Sequence, residues 1–147
     1  MSTTAVIERG SAAEAFSRQS ASFDAIDAAN PLIGWVRDRV RAQAMRSMMP
    51  GERLLELNAG TGIDSAFFAE RGVDVLATDV APGMIAEQEL KLQNTATQWT
   101  PMQCSYLELE ALGEARFHHV FSNFGGLNCT DRLDLVLQGI DRVLLPN

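Results

Sequence analysis

Lysine is almost missing from this sequence: among 147 residues there is one, Lys91, and 12 basic side chains face 19 acidic ones for a net charge of −7. Binding the phosphates of DNA or RNA takes clustered Lys and Arg, so nucleic acid is not an expected partner. The one basic cluster, Arg37, Arg39, Arg41 and Arg46, falls in a helical pattern and reads as a solvated helix face. Cysteine is scarce too. Cys104 and Cys129 make no disulfide framework and read as ordinary thiols, and no CxxC or HExxH metal spacing occurs. No apolar run approaches the length that crosses a bilayer, and the first residues lack the apolar stretch of a secretory signal. The expectation is a cytoplasmic protein with neither membrane partner nor metal.

What is present is an ordinary globular composition, 46% hydrophobic and 21% charged, in a length that suits one domain. Residues 1–20 are small and polar and read as a mobile N-terminal arm, with at most a short helix over 12–18. From residue 21 the pattern alternates. Asn30-Pro31 starts a helix, with Asn as N-cap and Pro at the first helical position. Residues 53–57 read as a buried strand, 58–62 as a glycine turn, and 63–71 as a helix with Gly72 beyond its end. A strand over 73–78 leads to Asp79, Pro82-Gly83 opens a helix to about 93, and strands follow at 98–103 and 117–122. Thr130 is placed to cap a last helix bearing an apolar stripe from Leu133 to Leu144. Strand and helix in alternation predict a doubly wound, mostly parallel α/β sheet with helices on both faces, its four strands in the order 3-2-1-4.

The chemistry is carried by the stretch from Leu54 to Gly62. A strand runs into glycines and a helix follows at once, so the backbone turns sharply and the free N–H groups of a helix start are offered to a ligand. Asp79 follows Gly60 by nineteen residues, at the end of the second strand, where an acid accepts from both ribose hydroxyls of a nucleotide-like ligand. Gly60-Thr-Gly62-Ile-Asp-Ser65 nearly fits the nicotinamide fingerprint, with Ser in the third glycine's place. Glu56 separates the cofactors. It stands inside an apolar strand, where a buried acid is costly unless paired, and there it suits the cationic amino-acid end of a sulfonium cofactor.

Residues 54–62, LLELNAGTG, resemble the first motif of class I S-adenosylmethionine-dependent methyltransferases. VLATDVAPGM, 75–84, is similar to their second strand and its acidic end, and FHHVFSNFGGLN, 117–128, to the fourth strand and the loop after it. The resemblance spans about residues 20–147. It implies S-adenosylmethionine as cofactor and methyl transfer to a small molecule. Glu56, Gly60 and Gly62 would line its methionine end, with Asn58 in the turn a further cofactor-binding residue; Asp79, with Val80 beside it, would hold the ribose. Met84, Ser105 and Tyr106 would lie near the adenine and Asn123 near the transferred methyl. Phe23 and Asp24 would belong to a segment folding over the cofactor.

Three positions depart from the family pattern: Asn58 stands where Gly is usual, Ser105 where Asp is common after the third strand, and His118 where Asp is common in the fourth. His118 and His119 read as packed or edge residues. The resemblance also implies a chain that stops before the family's fifth strand, leaving the fourth strand's edge open to self-association. Two other functions are to be weighed: a scaffold of the same fold without activity, and a fragment of a nicotinamide oxidoreductase.

Overall fold

The computed structural model describes residues 3–146, with side chains from residue 12 onward. Four parallel strands form one sheet in the order β3-β2-β1-β4, as the sequence predicts. They are β1 (Arg53–Glu56), β2 (Asp74–Asp79), β3 (Thr100–Gln103) and β4 (His119–Phe121). β1 is central, pairing Leu55 with Leu76 of β2 on one side and with Val120 of β4 on the other.

Alternation along β1 divides the core in two, because successive strand side chains point to opposite faces. Leu54 packs with Phe68, Val75, Trp99 and Phe121 on one face. Leu55 and Leu57 pack with Leu109, Phe117, Val136 and Val143 on the other. Burial of each such side chain contributes about 1.5–3 kcal/mol. A strand buried on both faces reads as a continuous apolar run, and Glu56 within that run is the exception.

Among the described residues five α-helices clothe the sheet: α1 (Thr3–Ala28), α2 (Pro31–Ala44), α3 (Ile63–Ala69), α4 (Pro82–Leu92) and α5 (Leu133–Val143). Asn30 caps α2 as expected, its side chain accepting from the N–H of Leu32 at 3.1 Å. Thr130 does not cap α5. The residue before that helix is Arg132, whose N–H is taken by the Thr130 hydroxyl in a local turn instead. Of the segment expected to be an arm with a short helix, residues 3–20 belong to α1, which runs unbroken through the boundary at residue 20; residues 1 and 2 lie outside the described residues. The physical reason lies on α4. Gly83 presents bare backbone, Ser17 and Ser20 of α1 pack directly on it, and the Ser17 hydroxyl accepts from the Gly83 N–H at 3.1 Å.

Beyond α5 the chain turns back toward β4. Leu144 forms a parallel bridge with Phe117, whose N–H donates to Val143 and whose carbonyl accepts from Leu145. The start of β4's outer edge is therefore paired within the chain.

Candidate functional site

The carboxyl ends of the parallel strands open into a cavity of about 280 Å³, where doubly wound sheets bind their ligands. Glu56, Asn58, Gly60, Asp79, Val80, Met84, Ser105, Tyr106 and Asn123 all line it, drawn from the ends of all four strands and the segments after them. Gly62 does not. At φ +83° it opens α3, and a Cβ there would sit 3.1 Å from Gln88 Cγ and from the Trp99 ring. Its contribution is the turn and the close packing behind it. Gln88 completes that backing: its amide donates to Gly60 O at 2.8 Å and its carbonyl accepts from the Trp99 indole at 3.1 Å.

Asp79 is 8% exposed at the tip of β2. One carboxylate oxygen accepts from the Gly60 N–H and the other from the Ala81 N–H, both at 2.9 Å. Burial raises its pKa above the ordinary value, while those N–H groups oppose the rise. Each oxygen retains a lone pair.

Glu56 is 3% exposed, and burial pushes its pKa up to about 8. The hydroxyl of Ser65 donates to it at 2.5 Å. The serine in the third place of the glycine run is thus fully buried and occupied with the acid of β1.

Asn58 adopts φ +44°, a conformation that favours glycine. Its side chain compensates locally: the amide donates to Asn123 O at 3.1 Å and the carbonyl accepts from the Ser122 hydroxyl at 2.6 Å. The turn after β1 is thereby tied to the loop after β4. Tyr106 adds a second tie, donating to Gly126 O at 3.1 Å. The Ser105 hydroxyl accepts from the Leu107 N–H at 3.2 Å, so the departure from Asp is spent on a local turn.

The basic cluster is only in part the solvated face expected of it: Arg39 and Arg46 are exposed, whereas Arg37 and Arg41 turn inward. Arg37 is 7% exposed and lines the cavity. It donates to Asp64 at 2.8 Å and to Asp27 at 2.6 Å, while Arg41 donates to the other oxygen of Asp64 at 2.7 Å. Asn123 also donates to Asp64, at 3.1 Å. The spacing of Arg37 and Arg41 places both on one helix face, but which face is buried depends on Asp64 in α3. Phe16 and Phe23 of α1 supply one apolar wall of the cavity and Phe124 another. Asp24 does not line it. Asp24 pairs with Lys91 at 2.5 Å, joining α1 to α4.

Neither histidine lines the cavity. His118 accepts from the Arg53 N–H at 2.9 Å and His119 meets Glu52 at 2.7 Å, as befits edge residues. Among the described residues no cluster of metal-ligating side chains occurs. Cys104 and Cys129 are both free thiols, the first buried and the second exposed.

A family model described as a methyltransferase domain matches residues 54–147, and the chain belongs to that family. Over 79 residues it is 40% identical to the malonyl-[acyl-carrier protein] O-methyltransferase of Serratia marcescens, covering 54% of this chain and 29% of that protein. Over 64 residues it is 42% identical to the demethylmenaquinone methyltransferase of Beutenbergia cavernae, covering 42% of this chain and 27% of that one. Phosphoethanolamine N-methyltransferase 1 of Haemonchus contortus, solved with phosphoethanolamine and S-adenosylhomocysteine, superposes with a TM-score of 0.73 at 20% identity. That match covers 98% of this chain and 31% of the other, and it speaks for the fold. The chain spans less than a third of the length of the curated relatives it matches.

Proposed function

We propose that this domain binds S-adenosylmethionine in the cavity at the strand ends and serves methyl transfer to a small molecule. The observation that carries the reading is the placement of two buried acids, Glu56 and Asp79, in one largely apolar cavity beside the glycine turn. The residues suit the cofactor. Asp79, held by two backbone N–H groups, keeps free lone pairs for ribose hydroxyls. Glu56 can meet the ammonium of the amino-acid end, and Met84 and Val80 offer apolar surface to the base. Matches to methyltransferases in both sequence and fold support the same choice over a nicotinamide enzyme.

When bound, the cofactor would supply an electrophilic methyl group, open to direct displacement by an acceptor's lone pair with the thioether sulfur as the leaving group. The chain's own share is positioning. Asn123, fixed through Asn58 and Asp64, stands at the end of β4 to orient the acceptor's side of the cavity. Phe16, Phe23 and Phe124 offer apolar surface around the cavity. No side-chain nucleophile is required. A cytoplasmic setting suits the two free thiols. Among the described residues no helix is long and apolar enough to cross a membrane.

The relatives suggest acceptors to try first. Incubation with methyl-labelled S-adenosylmethionine and, separately, a malonyl thioester or a demethylated quinol should place label in one of them. Cofactor binding without transfer to either would instead support a scaffold role for the domain.

A further inference from the structure

Asn58 stands at φ +44° in the turn after β1, where glycine is the unstrained residue. Asparagine tolerates that backbone better than most side chains, and here its amide serves a distant segment. Both ends of the amide reach across to the loop after β4, residues 122–129. The N–H donates to Asn123 O at 3.1 Å and the carbonyl accepts from Ser122 Oγ at 2.6 Å. Neither bond serves the turn itself. The backbone of Gly126 packs against the same amide, in a space that a Cβ would have to share with it. Three residues of the loop thus take their position from one side chain of the turn.

The loop has little else to place it. None of residues 122–129 is buried, so apolar packing holds it weakly. Phe124 and Gly125 are both left-handed, at φ +53° and +67°, and a short 3-10 turn over Gly126–Cys129 is its regular structure. Its side-chain ties beyond Asn58 run to Asp64, through Asn123, and to Tyr106, through Gly126 O. Yet Asn123, Phe124 and Gly126 line the cavity from the side opposite Gly60 of the turn. The two sides of the site are therefore joined by a residue that replaces the usual glycine.

We propose that Asn58 couples the two sides of the cavity: it is a positioning residue through which a ligand resting on the glycine turn orders the loop after β4, and so shapes the acceptor's side. The proposal rests on the cofactor reading above and extends it, since the ligand on the turn is then the cofactor. A glycine at this place would serve the turn equally well and leave the loop to order itself. Coupling of this kind is reciprocal, so an ordered loop also favours the ligand on the turn.

The test follows amide hydrogen exchange in the full chain by NMR, free and saturated with S-adenosylhomocysteine. The ratio of the two rates at each residue is the readout. In the native chain the ligand should slow exchange at residues 124–129 by about tenfold, the worth of one to two hydrogen bonds. Asn58→Gly keeps a residue suited to the turn and removes both bonds. Saturating ligand should then still slow residues 60–62, but residues 124–129 by no more than about twofold. Ser122→Ala removes one bond from the loop's side without touching the turn, and should give an intermediate ratio. A brace without coupling would raise both rates and leave their ratio as in the native chain, and so would direct contact between ligand and loop; ratios unchanged in both variants overturn the proposal alone. A ratio lost at residues 60–62 as well overturns it too, because Asn58 then acts on the turn. Failure of the native chain to bind S-adenosylhomocysteine overturns the cofactor reading and the proposal together.

Discussion

The carboxylate of Asp79 reaches from the tip of β2 to accept the N–H of Gly60 at 2.9 Å, so one side chain both closes the turn after β1 and faces the cavity. Its other oxygen is held by Ala81. Asp79→Asn replaces one acceptor with a donor that must oppose an N–H. The variant should lose about 1–3 kcal/mol of stability in a denaturant titration. Its affinity for S-adenosylhomocysteine should fall by about tenfold or more, measured by calorimetry. Unchanged affinity with lowered stability would reduce Asp79 to a structural brace.

The pKa of Glu56 has consequences of definite sign. In the folded chain it is raised to about 8 by burial, from 4.5 ordinarily. Between those values the folded state holds a proton that the unfolded state has released. Stability therefore falls as pH rises from about 4.5 to about 8. Asp79, also raised, contributes in the same direction. Glu56→Gln should flatten most of this slope in denaturation measured across pH 5–9. Binding of a cationic ligand should also expel the proton. Calorimetry at pH 7 in buffers of different ionisation enthalpy should report about one proton released by the native chain and none by the glutamine variant.

Gly83 sets how closely α1 lies on α4. A Cβ at this position would fall 2.8 Å from Ser17 Cα and 2.9 Å from Ser17 O, both backbone atoms that cannot rotate away. Gly83→Ala should push α1 outward at a cost of about 1–3 kcal/mol. Hydrogen exchange should quicken in α1 over residues 12–28 and stay unchanged in the sheet. Because Phe16 and Phe23 leave the wall with α1, ligand affinity should drop as well.

Asp64 joins α2, α3 and the loop after β4 through Arg37, Arg41 and Asn123. Its side chain is 5% exposed. Asp64→Ala leaves two arginines facing each other without their shared anion, and should cost about 3–5 kcal/mol in chemical denaturation. Replacing Asp38, exposed on α2 beside Arg37, should change stability little.

The sheet order and most of the cavity were legible in the sequence because their signals are local. A strand, two glycines and a helix start follow one another without a gap, and Glu56 stands out against an apolar run. Asp79 marks the end of its strand by chemistry alone. What escaped was set by distant partners. Arg37 is buried by an acid 27 residues on and another 10 residues back, and a charged helix face carries no mark of which neighbour will cover it. The full length of α1 escaped because its sequence of Ala, Ser and Gly has little apolar periodicity; its packing depends on Gly83, 66 residues beyond Ser17. Gly62 was placed in the cavity because spacing shows that a turn needs glycine. Spacing does not show that Trp99 and Gln88 lie against its other side.

The most direct test titrates the purified chain with S-adenosylhomocysteine by calorimetry, with NADH in parallel. The account predicts binding of S-adenosylhomocysteine, weakened in Asp79→Asn and accompanied by proton release, and no binding of NADH. Binding of NADH alone would contradict it.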